Sequence, residues 1–203
     1  MKSINLVVAA AALAVSGAAI AGPSYTYADL GFTVGDSFGN NNDTDGYAIR
    51  GSFGFADVFH VGGGITDGDV DGGKGSGGAD NSGYNVYVGF NPAMTENLDL
   101  VARIGYFDEE FKFDGGKEEA TGVSFEIGPR AMVSDNLELN AAVSLLLGED
   151  KDGGVKEDFT LVAYRVGGEY YFTPALSLGL DAAVASGNQS EANIHVRYSF
   201  GNN

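Results

Sequence analysis

The chain has 203 residues, with 32 Gly, no Cys, no Trp, and 11 Lys and Arg against 28 Asp and Glu, a formal net charge of -17. Without Cys it forms neither a disulfide nor an acylated cysteine anchor, and the acid excess excludes nucleic acid as a partner, because phosphate binding needs clustered Lys and Arg. The glycine content and a mean hydropathy of -0.03 exclude a helical membrane protein and favour sheets with tight turns.

Residues 1–21 differ from that average. Lys2 precedes an apolar run from Leu6 to Ile20, which closes on Ala19-Ile20-Ala21, the small-x-small pattern of a cleavage site. This segment reads as a signal peptide, which predicts export and places one domain over residues 22–203. A retained N-terminal anchor is the alternative, but the Ala-rich run falls short of the ~20 residues a spanning helix needs.

Ten runs of alternating apolar and polar residues follow, near 24–35, 46–56, 58–67, 83–91, 97–108, 121–133, 136–148, 159–172, 175–186 and 191–200. Leu137, Leu139, Ala141, Val143, Leu145 and Leu147 share one parity, with Glu138, Asn140 and Ser144 on the other. Period 2 over that length specifies a two-faced strand, and roughly 9 to 11 residues is what a tilted strand needs to cross a bilayer.

The connections alternate in length. Short ones fall at Ala56-Asp57, at residues 91–96, at Ser134-Asp135-Asn136 and at Thr173-Pro174-Ala175. Long ones are expected near 36–45, 68–82, 109–120, 149–158 and 187–190, and these carry much of the acid, including Asp67, Asp69, Asp71, Glu109, Glu118 and Asp150. The pattern predicts an all-β, antiparallel up-and-down transmembrane barrel of ten strands, with both termini at the short-turn end. Eight strands, with one hairpin misread, is the alternative count.

Side-chain parity indicates which face meets what. Arg50, Arg103, Arg130, Arg165 and Arg197 all lie opposite the bulky apolar face of their runs. A lipid-facing cation near the midplane costs about 2 to 4 kcal/mol, so these five are expected inside. A soluble two-sheet sandwich predicts the same parity, but it has no reason to sort aromatics to strand ends. Here Phe55, Phe59, Phe90, Tyr170, Phe172, Tyr198 and Phe200 fall beside the short turns, and Tyr47, Tyr84 and Tyr106 beside the long connections, as membrane-interface girdles require.

With its final run, Ile194-x-Val196-x-Tyr198-x-Phe200, the chain resembles the small outer-membrane β-barrel proteins typified by the OmpA transmembrane domain and the porin-like barrels. The resemblance covers residues 22–203 as a pattern. It implies that Val196, Tyr198 and Phe200 form a signal read by the outer-membrane assembly machinery, although three residues follow Phe200. It also implies location in the bacterial outer membrane of a Gram-negative cell, with outer-membrane lipids and lipopolysaccharide as neighbours. It does not imply the cell-wall tethering of the full-length relative.

The inward parity also carries Asp29, Asp99, Glu126, Glu138, Glu169, Asp181, His195, Tyr87 and Asn140. About eight strands leave an interior that side chains fill and about sixteen leave a channel, so ten lies near the filled end. Unpaired buried charge costs several kcal/mol, so the arginines and Glu126, Glu169 and Asp181 are expected to pair into a network that plugs the lumen or leaves a narrow polar path.

The expected function is that of a small monomeric barrel with a structural or surface-interaction role. The alternative is a narrow channel for small solutes, and a hydrolase is a third class. For the last, only His60 and His195 are available, with Ser190 and Ser199 as possible neighbours of His195. No cofactor is expected. Asp67-Gly68-Asp69-Val70-Asp71-Gly72 resembles the first half of a calcium-binding loop but has Gly78 where the bidentate Glu belongs, so Asp67, Asp69 and Asp71 are expected to hold Ca2+ or Mg2+ only weakly.

Overall fold

A computed structural model of the chain describes residues 23–37, 42–71, 78–187 and 189–200. The expected signal peptide lies outside the described residues.

The strands are β1 (Tyr27–Ser37), β2 (Asn42–Phe55), β3 (Phe59–Val70), β4 (Ala79–Phe90), β5 (Ala93–Thr95), β6 (Leu98–Phe113), β7 (Gly116–Ser134), β8 (Leu137–Asp152), β9 (Val155–Tyr171), β10 (Leu176–Ala185) and β11 (Gln189–Ser199). Each pairs antiparallel with its chain neighbours, except that β4 pairs with β6 and the three-residue β5 only caps the start of β6. The first and last long strands also pair, from Tyr27 opposite Ser199 to Asp36 opposite Ser190, and this closes a barrel of ten strands. Closure leaves no long unpaired edge. At the short-turn end, the Phe200 amide donates to the Thr26 carbonyl at 2.9 Å.

The expected runs are all strands, but several reach further than the alternation indicates. The long connection expected at 109–120 is strand except for Asp114 and Gly115, and that at 149–158 is strand except for Gly153 and Gly154. The 36–45 and 68–82 connections are shortened in the same way. These extensions are largely polar apart from Val70, Phe111, Phe113 and Val155, so they carry little hydrophobic period, and cross-strand hydrogen bonds and charge pairs help to hold them. Gly153 and Gly154 have φ of 55° and 90°, the left-handed pair that a two-residue hairpin loop requires.

The polarity of the barrel is inverted relative to a water-soluble protein. Buried residues include Asp29, Arg130, Glu138, Glu169, His60, His195 and Arg197, whereas Leu30, Ile49, Val88, Ile104, Phe125, Val143, Val166 and Ile194 project outward and exposed. Phe55 and Phe59, Phe59 and Phe90, Tyr170 and Phe172, and Tyr198 and Phe200 form ring contacts at the short-turn end. Val196, Tyr198 and Phe200 thus lie on the outward face, the last two with ring centroids 5.0 Å apart.

Candidate functional site

In the interior, charged side chains converge from every side of the ring, and strand register accounts for how they meet. Asp29 of β1 lies directly opposite Arg50 of β2 and Arg197 of β11, so one carboxylate bridges three strands across the closure. Its two oxygens accept from Arg50 Nε at 2.7 Å and from Arg197 Nη2 at 3.0 Å. Arg103 of β6 lies opposite Glu126 of β7 and donates to it at 2.7 Å, and Arg165 of β9 reaches the other Glu126 oxygen, also at 2.7 Å. Ser144 donates to that second oxygen as well.

The deepest cluster lies near the short turns. Register places Glu138 of β8 directly against Glu169 of β9, a like-charge pair that is unfavourable unless each is neutralised. Arg130 grips Glu138 with two nitrogens, at 2.6 and 3.0 Å, and the Tyr171 hydroxyl donates to it at 3.0 Å. Glu169 accepts from Ser177 at 2.6 Å, faces His195 Nε2 at 2.9 Å and has Arg197 Nη1 at 3.4 Å. Asp181 lies 3.5 Å from His195 Nδ1 and 3.9 Å from Arg50, tying β10 to β2 across the lumen. The eight charged residues singled out inside the barrel thus fall into three sets of ion pairs: Arg50, Arg197, Glu169 and Asp181 joined through Asp29 and His195, Arg103 and Arg165 on Glu126, and Arg130 on Glu138.

Tyrosines complete the packing. The guanidiniums of Arg130, Arg197 and Arg103 lie 4.7, 3.9 and 4.9 Å from the ring centroids of Tyr25, Tyr27 and Tyr87. Of these only Tyr87 was expected inside. Tyr25, Tyr27, Asn193 and Ser177 all share parity with a named charge on the same strand, so extending the alternation from Asp29, His195 and Asp181 would have reached them. Asp99 does not bind the opposing Arg130; it accepts from the Tyr25 hydroxyl at 2.8 Å.

Glu138 is 1% exposed and His195 2%, so charged side chains are packed into the short-turn half of the interior. Toward the other end the Arg165 side chain is 38% exposed, whereas Phe107 is buried. Phe107 and Phe159 face each other there, with centroids 6.2 Å apart.

The histidines do not form hydrolytic pairs among the described residues. His60 faces Asn91 Oδ1 with Nδ1 at 2.8 Å, and its Nε2 accepts from Arg103 Nε at 3.1 Å. The Ser177 hydroxyl near His195 donates to Glu169 and not to the imidazole. Ser199 Oγ is buried without a hydrogen-bond partner, and Ser190 is exposed at the far end of β11. Neither serine meets His195.

The loop expected to start at Asp67 begins later, because β3 runs on to Val70. Asp67 and Asp69 belong to β3, where alternate residues lie in a row along one face and cannot wrap around an ion. Asp67 accepts from the Tyr47 hydroxyl at 2.9 Å, and Asp69 lies between Asp45 and Asp80 of the flanking strands. Asp71 follows the end of β3, its amide bonded to the Asp43 carbonyl. Among the described residues no cluster of three His, Cys, Asp or Glu could hold a metal ion.

Beyond the outward apolar belt, the inward Glu118 carboxyl of β7 is pushed up to about 7, by burial first, then by a hydrogen bond with Asp150 and the negative charges of Asp150 and Asp152. A carboxyl pair of this kind shares a proton when neither member has a cation to neutralise it.

No protein-family model matches the chain, and no curated protein matches it. Among solved structures it is similar to the outer membrane protease OmpT from Escherichia coli, at 9% identity over 87% of this chain and 94% of that one, with a TM-score of 0.49. It is similar to the beta domain of the Bordetella autotransporter BrkA, at 17% identity over 88% and 100%, with a TM-score of 0.46. It is also similar to the KdgM porin, at 11% identity over 85% and 99%, with a TM-score of 0.40. These likenesses carry no residue role to this chain.

Proposed function

We propose that this chain is a small monomeric barrel of the bacterial outer membrane with a structural or surface-interaction role, its lumen closed by the ion-pair network. The inverted polarity carries the membrane reading: an exposed apolar outer face around a buried charged interior is stable only where the outer face meets hydrocarbon. The apolar belt ends abruptly, with Tyr47 giving way to Asp45, Ile65 to Asp67, Tyr106 to Asp108 and Leu147 to Glu149 on successive outward positions.

The closed lumen follows from the buried Arg130, Glu138, Glu169, Arg197 and His195, whose pairing leaves no vacant donor for a passing solute to replace without breaking an ion pair. The working surface then lies beyond the belt, on the polar hairpins. Single-channel conductance of the refolded chain in planar bilayers tests this, once heat-dependent gel mobility has established insertion as a folded barrel. Electrical silence is the expected result. Reproducible steps would replace the closed-lumen reading with a narrow pore, and failure to insert would remove the membrane reading.

A further inference from the structure

Above the apolar belt the barrel wall is uneven. β9 pairs with β8 from Val155 opposite Asp152 to Tyr170 opposite Leu137, but its pairing with β10 runs only from Ala163 opposite Ala185 to Tyr171 opposite Ser177. β10 stops there because the chain turns back at Gly187, whose φ is 93°. The last contact across this edge joins Val162 to Ser186: the Ser186 amide donates to the Val162 carbonyl at 2.9 Å, and the Ser186 hydroxyl accepts from the Val162 amide at 3.1 Å. Beyond it, residues 155–161, about 20 Å of strand, have no strand on the β10 side among the described residues. In an antiparallel ladder alternate residues turn both backbone groups to the same neighbour, so Thr160, Asp158 and Lys156 follow Val162 in directing amide and carbonyl at the empty side. All three are exposed.

The charge behind this edge has one sign. Register carries Val155, Glu157, Phe159 and Leu161 to the lumen side, with Asp150 of β8, Glu118 of β7 and Glu109 of β6 on the same side of the wall. Glu191 of β11, opposite Ala183, adds a carboxylate at the foot of the gap. The four lysines among the described residues lie on the other, outward side, where Lys112 and Lys117 meet Glu110, Lys151 meets Glu119 and Lys156 meets Glu149. Among the described residues no Lys or Arg shares the lumen side of this wall beyond Arg165. Charges on a free edge discourage pairing with the wrong strand. Glu157 and Asp158 do this against a second copy of a chain of formal charge -17, and do not deter a basic segment.

We propose that the free edge of β9 takes up an extended, lysine- or arginine-bearing segment of a partner polypeptide as an added strand. The proposal names the partner chemistry of the surface-interaction reading and rests on it. The backbone groups of Lys156, Asp158 and Thr160 supply the ladder. On the lumen side of the added strand, basic side chains meet Glu157 with Asp150 behind it, and apolar ones meet Val155, Phe159 and Leu161. Backbone pairing gives the affinity, and the uncompensated carboxylates select a basic segment.

The test uses the refolded full-length chain in phosphatidylcholine nanodiscs and a fluorescent peptide alternating Lys and Val over roughly eight residues, a strand's length. Binding is followed by anisotropy. One control peptide has Glu for every Lys; another is N-methylated at alternate amides, which removes the ladder donors of one edge and keeps the charge. The lysine peptide is expected to bind at least about tenfold more tightly than either, the scale of a few backbone hydrogen bonds. Thr160→Pro removes one edge donor without changing charge, a substitution that edge strands tolerate, and is expected to weaken binding about tenfold. Lys117→Gln, on β7 away from the edge, is expected to leave it unchanged. Equal binding of the N-methylated peptide, or undiminished binding by a folded Thr160→Pro variant, overturns the added strand, and equal binding of the glutamate peptide overturns the basic partner. A peptide-free dimer that Thr160→Pro dissociates assigns the edge to a second copy and overturns the proposal. A chain that shows heat-dependent gel mobility yet binds none of the peptides overturns it while leaving the barrel in the membrane. A chain with no mobility shift overturns the membrane reading, and the proposal with it.

Discussion

Arg130 and Glu138 meet as a two-point ion pair, Nε and Nη2 at 2.6 and 3.0 Å from the two carboxylate oxygens, with both side chains withdrawn from water at the closed end of the barrel. Removing one partner strands the other. Glu138→Leu is expected to cost about 3 to 5 kcal/mol, and the double change with Arg130→Met to recover most of that. Urea unfolding followed by gel mobility measures both; a single variant as stable as the parent would show that the pair is not what neutralises this end.

Close packing makes glycine necessary opposite the interior histidines. A Cβ at Gly179 would enter the His195 ring and lie 2.6 Å from Glu169 Oε2, whereas one at Gly116 meets nothing within 4 Å. Gly179→Ala is expected to destabilise by about 1 to 3 kcal/mol, and Gly116→Ala by far less. Equal effects in the same unfolding assay would mean that the interior has slack.

The turn between β2 and β3 stores strain, because Ala56 and Asp57 have φ of 49° and 60°. Left-handed backbone costs an L residue with a Cβ about 1 to 2 kcal/mol. Ala56→Gly is expected to stabilise the barrel by up to about 1 kcal/mol, less the entropy that glycine adds to the unfolded chain. A fall in the urea midpoint would contradict the assigned conformation.

Outward charge tests what surrounds the belt. Val143 projects outward midway along β8, and Thr160 projects outward opposite Leu147 at the edge of the belt. Val143→Arg is expected to cost about 2 to 4 kcal/mol in phospholipid bilayers, and Thr160→Arg about 0 to 1. Identical small costs at both positions would indicate water, not lipid, outside β8.

The Glu118 carboxyl, raised to about 7 beside Asp150 and Asp152, makes the β7 and β8 hairpin ends sensitive to pH. A carboxyl bound to its proton more tightly when folded stabilises most below its unfolded value near 4.5, and that contribution is lost as pH rises through about 7. Amide exchange at residues 117–120 and 150–153, corrected for intrinsic rates, is expected to show protection falling between those limits. Glu118→Gln should flatten the profile; an unchanged profile would refute the shared proton.

Legibility in the sequence followed hydrophobic contrast. In β8 the apolar and polar parities separate from Leu137 to Leu147, and the strand is readable there; from Glu149 to Asp152 both parities are polar, and that stretch reads as loop although it continues the strand. The three-residue β5 is too short for any period to register. Asp67-Gly68-Asp69 was placed in a connection for a related reason, since acids at alternate positions fit a loop and a strand face equally well.

By itself the sequence determined that the strands are two-faced and that every arginine shares the polar face, because period 2 and the cost of charge in hydrocarbon act locally on each strand; it favoured ten strands over eight, and the pairing of β1 with β11 decided the count. Only the tertiary structure decided which charge meets which. Asp29 joins Arg50 to Arg197 because barrel closure puts β11 beside β1, 168 residues apart in the chain for the Arg197 contact. Glu138 and Glu169 face each other because of the β8 and β9 register, and Arg130 and Arg197 separate them. Pairing across a closed ring depends on register and curvature, which are properties of all ten strands together and are written in none of them singly.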